Sequence, residues 1–297
     1  METNEGVPSA DEGAPGPAPF AWGSVAVIAL AAVLALGLFV TVFLHWPGGG
    51  KYPLLGRDHD DLMVADAPNA GRTLTVMFVG NSLTFVNDLP AMLVDIASSD
   101  PGAATGLQVK AETYPDATLD QLRTQTGALA WAQNHHVDNV VLQEHSYWYE
   151  APEQFQPAVQ SAQAWIDALR PTGATPVLFE VWADGDGSEV YTDRQYSTFG
   201  STSAHDAQSV IASTRSLASR VGAGVAPVGQ AFDTARQTPG APDVWGPDRH
   251  HPSVAGTYLA ALVFYRQFTG RSGAEATWRP GGLSAEDAAK LQRIAAG

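Results

Sequence analysis

The chain has 297 residues, 45% of them hydrophobic, which is enough for one large domain with additional segments. It contains no cysteine, which excludes disulfide bonds, cysteine nucleophiles and thiolate metal sites. The formal net charge of −15 argues against nucleic acid as a partner, because phosphate binding requires a basic surface.

The amino-terminal part of the chain predicts a membrane anchor. Residues 1–19 are rich in Pro, Gly, Ala and acidic side chains, a composition typical of a disordered tail. Residues 20–44 carry no charge, and a helix of this length crosses a hydrocarbon core of roughly 30 Å. A cleaved signal peptide fits less well, because the tail has no Lys or Arg and no A-x-A site follows the run. We predict one transmembrane helix over residues 20–46, with Trp22 and Trp46 at the interfaces.

A linker over residues 47–72, rich in Pro and Gly, leads to a folded domain over residues 73–297. Lys51 and Arg57 follow the span and favour a cytoplasmic location for that side, but two basic residues are a weak bias. Long domains can cross the membrane regardless of it, and we expect the domain to be periplasmic or extracellular. One anchor helix neither requires nor excludes a dimer.

Short runs rich in Val, Leu and Phe alternate with amphipathic stretches along the domain. The apolar runs predict strands at 73–79, 107–113, 138–143, 175–182 and 224–228. The amphipathic stretches predict helices near 88–99, 118–133, 155–170, 203–221, 254–268 and 284–295, with Asp88 and Ser253 as N-caps. This alternation predicts a three-layer α/β/α domain with a parallel sheet of about five strands.

The stretch VMFVGNSLTF, residues 76–85, ends a predicted buried strand in a turn that presents Ser82. A serine hydroxyl is a weak nucleophile until a histidine takes its proton and a carboxylate orients that histidine. The stretch WGPDRHHPSVAG supplies such a pair, since two residues separate Asp248 from His251 on one loop. Ser82 alone fits an ordinary helix cap, whereas Ser82 together with this pair favours a nucleophile.

Two of these stretches resemble the SGNH (GDSL-type) hydrolases. FVGNSLTF is similar to their block I, and DRHHPSVAGTYLAA is similar to their closing block, Asp-x-x-His-Pro followed by a helix. The resemblance covers about residues 73 to 270, including VVLQEHS and VLFEVWA, which are similar to one bacterial branch. It implies a flavodoxin-like fold and a serine esterase without metal or cofactor. It also implies Ser82 as nucleophile, His251 as general base and then acid, and Asp248 as the residue that orients His251.

The oxyanion hole departs from the family pattern. The resemblance implies the backbone N–H of Ser82 as one donor. Where the family has a Gly after the second strand, this chain has Pro115 or Asp116, and only Asp116 has an N–H. The family's Asn after the third strand is missing, and the side-chain amide of Gln143 is the expected replacement. The other candidates are Ser146 and Tyr147.

Several other residues are candidates for contact with a substrate: Asn81, Ser146, Tyr147, Trp182 and His250. Aromatic residues at this rim could stack on sugar rings or hold acyl chains, or they could cover a core edge. His250 rivals His251 as the base, but it stands two positions from Asp248 and has no Pro after it.

Possible metal ligands are weaker candidates. His135 with His136, HDD at 59–61 and DGDG at 184–187 fit solvated loops better than metal sites. No dinucleotide or P-loop motif is present.

The sequence therefore predicts a membrane-anchored serine esterase that cleaves carboxylic esters, with glycan-linked acetyl groups as the first substrate to consider. An acyltransferase acting on a glycan or lipid acceptor would need the same residues. A catalytically impaired binding domain is the other alternative, because the family's Gly and Asn are absent.

Overall fold

The computed structural model describes residues 65–67, 71–149, 151–192 and 200–297. The predicted tail at 1–19 and transmembrane helix at 20–46 lie outside these residues. None of the helices within the described residues is long and apolar enough to span a membrane.

A six-stranded sheet forms the centre of the domain. Its strands are β1 (Ala65–Ala67), β2 (Arg72–Gly80), β3 (Thr105–Thr113), β4 (Asn139–Leu142), β5 (Thr175–Phe179) and β6 (Gly224–Ala226). The order is β1-β3-β2-β4-β5-β6, with β1 antiparallel to β3 and all other pairs parallel. The five parallel strands confirm the predicted sheet, and their order is that of flavodoxin-like folds. Because the strand order reverses next to β2, the carboxyl end of β2 is the expected ligand position.

Helices cover both faces of this sheet. They are α1 (Ser82–Phe85), α2 (Leu89–Ser99), α3 (Leu119–Gln125), α4 (Ala128–Asn134), α5 (Pro152–Leu169), α6 (Ser203–Val221), α7 (Val228–Gln237), α8 (Val254–Thr269) and α9 (Ala285–Ala296). Helices α2, α8 and α9 pack together, as do α3, α4, α5 and α6, while α7 contacts both α6 and α8.

Core packing joins the strand before Ser82 to the helix that follows His251. Phe78 of β2 and Phe179 of β5 each lie edge-on to Phe264 of α8, with ring centroids 4.9 Å apart. All three side chains are fully buried, and burying a Phe stabilises the fold by about 1.5–3 kcal/mol. Helix α8 follows the loop of His251, so this packing holds that loop against the strand that precedes Ser82.

Most predicted elements are confirmed within a few residues. Asp88 caps α2 by accepting from the N–H of Ala91 at 3.2 Å, and Ser253 caps α8 by accepting from the N–H of Gly256 at 3.1 Å. The strand predicted at 175–182 ends earlier, at Phe179.

Three differences have local causes. The helix predicted over 118–133 is two helices, because Thr126 is extended and its Oγ1 accepts from the N–H of Ala128 at 3.2 Å. Helix α7 was not predicted, although its buried residues have helical spacing, because the apolar run 224–228 was assigned wholly to a strand. The predicted linker 47–72 contains β1, a three-residue edge strand of small residues with no hydrophobic alternation, and the first residue of β2.

Candidate active site

The turn after β2 is held by side chains. Asn81 caps α1, since its Oδ1 accepts from the N–H of Leu83 at 3.2 Å. The backbone N–H of Asn81 donates to Gln143 Oε1 at 2.9 Å, and Gln143 Nε2 donates back to Asn81 Oδ1 at 2.9 Å. Gly80 is required here, because a Cβ at that position would lie 2.6 Å from Gln143 Oε1. These contacts present Ser82, the first residue of α1, at the carboxyl end of the sheet.

A continuous chain of hydrogen bonds starts at this serine. Ser82 Oγ lies 2.9 Å from His251 Nε2, and His251 Nδ1 lies 2.6 Å from Asp248 Oδ2. Asp248 Oδ1 also accepts from the backbone N–H groups of His250 at 3.1 Å and His251 at 3.0 Å. The structure therefore brings together the three residues that the motifs singled out.

The charge of Asp248 sets the orientation of His251. Partial burial disfavours the carboxylate, but the hydrogen bonds and charge of His251 outweigh it, so the pKa of Asp248 lies well below its usual range. A carboxylate accepts only, which places a proton on His251 Nδ1 and leaves Nε2 to face Ser82.

Arg249 stabilises the loop that carries Asp248 and His251. Its φ is 60°, a left-handed conformation that costs a non-glycine residue about 1–2 kcal/mol. Its guanidinium lies over the ring of Trp245, 5.5 Å from the centroid, and donates to Asp243 Oδ2 at 2.6 Å and to the carbonyl of Asp186 at 3.0 Å. Sequence reasoning did not find this residue.

Asp116 lies in the segment Tyr114–Thr118, here named the oxyanion loop. Tyr114 N–H donates to the carbonyl of Gly80 at 3.2 Å, and Asn81 Nδ2 donates to the carbonyl of Ala117 at 3.2 Å. Asp116 therefore lies between two residues that are hydrogen-bonded to the turn of Ser82. In the part of the chain that the structure describes, neither the N–H of Ser82 nor that of Asp116 has a hydrogen-bond partner. Both amides are thus available donors.

The structure contradicts the expectation that Gln143 is an oxyanion donor. Its side chain is fully buried, and Nε2 donates to Asn81 Oδ1 at 2.9 Å and to the carbonyl of Glu144 at 2.8 Å. Both amide hydrogens are therefore used, and Oε1 accepts from Thr84 Oγ1 at 2.9 Å as well as from Asn81. Gln143 supports the turn instead.

Two of the expected substrate contacts are also structural. Asn81 is 4% exposed and makes the turn contacts described above. Trp182 is 3% exposed, stacks on Phe232 with centroids 4.1 Å apart, and donates through Nε1 to the carbonyl of His250 at 2.9 Å. Both side chains are buried and support the backbone of the site rather than facing a substrate.

The other expected contacts lie at the rim. Ser146 and Tyr147 begin a short 3-10 turn, Ser146–Tyr149, after β4 and are partly exposed. The ring of Tyr147 lies 5.4 Å from that of His250, which lies 4.9 Å from that of His251. His250 is therefore a neighbour of His251, and it is His251 that contacts Ser82 Oγ.

Asp184 is a partner that sequence reasoning missed. His250 Nδ1 lies 2.7 Å from Asp184 Oδ1, and Asp184 Oδ2 accepts from Ser188 Oγ at 2.6 Å. Burial lowers the pKa of His250, but the hydrogen bond and charge of Asp184 outweigh it and raise the pKa above its usual value. The sequence signal for this role is the position of Asp184 just beyond the strand predicted at 175–182.

Of the adjacent histidines before β4, His135 packs against the neighbouring helix α4. The ring of His135 stacks on Trp131 with centroids 4.2 Å apart, and its Nδ1 lies 2.9 Å from the carbonyl of Trp131. Within the described residues, no group of three or more His, Asp or Glu side chains is arranged to hold a metal ion.

No family model and no curated protein matches the sequence. A DUF4886 family protein from Bacteroides uniformis has the same fold, with a TM-score of 0.64 at 15% identity over 75% of this chain and 93% of its own. A protein from Slackia heliotrinireducens described as an SGNH hydrolase gives a TM-score of 0.54 at 26% identity over 67% of this chain and 100% of its own.

A more distant likeness is to Axe2, an acetylxylan esterase from Geobacillus stearothermophilus. It gives a TM-score of 0.49 at 17% identity over 70% of this chain and 96% of its own, too low to support an argument. The fold and the likeness to the Slackia heliotrinireducens protein support the SGNH (GDSL-type) hydrolase superfamily for this chain.

Proposed function

We propose that this protein is a serine hydrolase of carboxylic esters that works through an acyl-enzyme on Ser82. The observation that carries the proposal is the hydrogen-bond chain from Ser82 Oγ to His251 at 2.9 Å and from His251 to Asp248 at 2.6 Å. A hydroxyl in such a chain can give up its proton as it attacks, because the imidazole takes it and the carboxylate stabilises the resulting charge.

In acylation, Ser82 Oγ forms a bond to the ester carbonyl carbon while its proton passes to His251 Nε2. The carbonyl oxygen becomes negative and accepts from the N–H groups of Ser82 and Asp116. Each preorganised donor of this kind lowers the barrier by about 3–4 kcal/mol. The bond to the alcohol then breaks, and the alcohol leaves with the proton from Nε2.

In deacylation, water attacks the acyl carbon on Ser82, and His251 Nε2 takes a proton from that water. The bond between the acyl carbon and Ser82 Oγ breaks, Oγ recovers the proton from His251, and the carboxylic acid is released. No redox partner is needed, since both steps exchange one C–O bond for another.

The surroundings of Ser82 favour a short acyl group on a polar alcohol, such as an acetylated sugar. His145, Tyr147 and His250 supply polar and aromatic groups around the site. Among the described residues, Val254 is the only large hydrophobic side chain with strong exposure, at 39%. A long acyl chain would need extended apolar surface, and one strongly exposed hydrophobic side chain supplies little of it.

The proposal keeps the single-pass attachment predicted from the sequence. The uncharged run at 20–44, with Trp22 and Trp46 near its ends, supports the span. The proposal places the catalytic domain on the periplasmic or extracellular side.

The test uses the full chain in detergent with two chromogenic esters, one acetyl and one long-chain. We expect the parent to hydrolyse the acetyl ester faster than the long-chain ester. Ser219→Ala, a control at an exposed serine of α6, should behave like the parent. Ser82→Ala should be inactive on both esters. Turnover by folded Ser82→Ala equal to the parent's, or no turnover by the folded parent, would contradict the proposal. Preferential acetylation of an added sugar over release to water would identify an acyltransferase.

A further inference from the structure

The oxyanion loop has a second set of anchors, from the residues that follow Gln143. Glu144 Oε1 accepts from the N–H of Leu119, the first residue of α3, at 3.0 Å. The same oxygen accepts from the N–H of His145 at 2.8 Å. His145 Nε2 in turn lies 2.7 Å from Asp116 Oδ1. Two consecutive residues after β4 therefore hold both the end of the oxyanion loop and the side chain at its centre.

The proton of His145 can be placed from its surroundings. Its Nδ1 is buried and has no hydrogen-bond partner within the described part of the chain. A buried N–H without an acceptor is costly, so the proton lies on Nε2 and is donated to the Asp116 carboxylate.

The contact matters because Asp116 has two opposite effects on the proposed reaction. Its backbone N–H stabilises the oxyanion, whereas its carboxylate, if free to turn toward the site, would repel that charge. Nothing else in the described residues restrains this side chain, which is 88% exposed. An ion pair or hydrogen bond at such exposure adds less than about 1 kcal/mol to fold stability, so removing it should leave the fold intact.

We propose that His145 and Glu144 are positioning residues that fix the Asp116 N–H beside that of Ser82 and restrain the Asp116 carboxylate. The inference rests on the proposed function, because it assigns these residues a role in the same reaction. His145 acts through Asp116, and Glu144 acts through the start of α3.

A double-mutant cycle on acetyl ester hydrolysis tests the proposal. We expect His145→Ala to lower kcat by about tenfold, in the range usual for coupled neighbours, while KM changes little. The φ of Asp116 is 58°, a conformation that Gly adopts without strain. In the Asp116→Gly background the same substitution should change kcat by less than about twofold, since Gly keeps the N–H and has no carboxylate to restrain. His145→Gln, which can present a similarly placed N–H, should recover most of the loss.

Equal losses in both backgrounds, or no loss in the parent background, would overturn the proposal. Thermal unfolding of each variant shows whether a loss in kcat reflects a loss of fold.

A second readout does not depend on activity. The ¹⁵N resonances of the His145 ring should report the Nε2–H form in the parent and shift in Asp116→Gly. Unchanged resonances would overturn the proposal even if the protein is an esterase. Failure of the proposed function would instead appear as the absence of Ser82-dependent hydrolysis in the parent.

Discussion

The two sides of the active site are held together in different ways. On the side of the base, Asp248 and His251 are three positions apart, and their hydrogen bond lies within one loop. On the side of the oxyanion, Asp116 and Leu119 depend on His145 and Glu144, which are 29 and 25 positions away in sequence. One side is therefore specified by local spacing, whereas the other exists only once β3 and β4 lie in the same sheet.

The largest effect should come from the base itself. We expect His251→Ala to lower kcat by about 10⁴- to 10⁶-fold, because Ser82 then has no group to take its proton. Adding Ser82→Ala should cause almost no further loss, since the two residues act as a unit. His136→Ala, at a side chain that is 82% exposed, is the matched control. If the loss in kcat of the double variant equals the product of the two single losses, the two residues do not act as a unit.

The next effect should come from the partner of the base. We expect Asp248→Asn to lower kcat by about 10³- to 10⁴-fold, because an amide N–H facing Nδ1 favours the wrong tautomer of His251. Asp184→Asn makes the same change beside His250 and should cost far less, since His250 does not contact Ser82 Oγ. Equal losses from the two substitutions would mean that both histidines take part in proton transfer.

On the oxyanion side, a smaller effect should appear in stability. Burial outweighs the hydrogen bonds from the N–H groups of His145 and Leu119 and raises the pKa of Glu144 to about 7 from 4.5. A raised carboxyl pKa favours the protonated folded state, so the parent should lose unfolding free energy as pH rises through this interval. The full loss, reached above pH 7, is on the order of 3 kcal/mol.

Glu144→Gln cannot ionise and should lack this loss. In urea titrations, the unfolding free energy of the variant minus that of the parent should therefore be larger at pH 8 than at pH 5. A difference between the two proteins that is the same at both pH values would contradict the burial of an ionisable Glu144.

The sequence was informative where residues that act together are close together. The strand that ends at Gly80, the Asp248–His251 spacing and most helix positions follow from local patterns. Gln143 was assigned the wrong role because its chemistry suits an oxyanion donor, and only its contact with Asn81 shows that its amide is engaged. His145 and Asp184 were missed for the same reason, since each gains its role from a partner on another strand or loop.

Covalent labelling would identify the proposed nucleophile, Ser82, directly. The full chain would be incubated with a fluorophosphonate and its peptides analysed by mass spectrometry. We expect one phosphonyl adduct, on the peptide containing Ser82, absent in Ser82→Ala and much slower to form in His251→Ala. An adduct on another residue, or labelling that persists in Ser82→Ala, would contradict it.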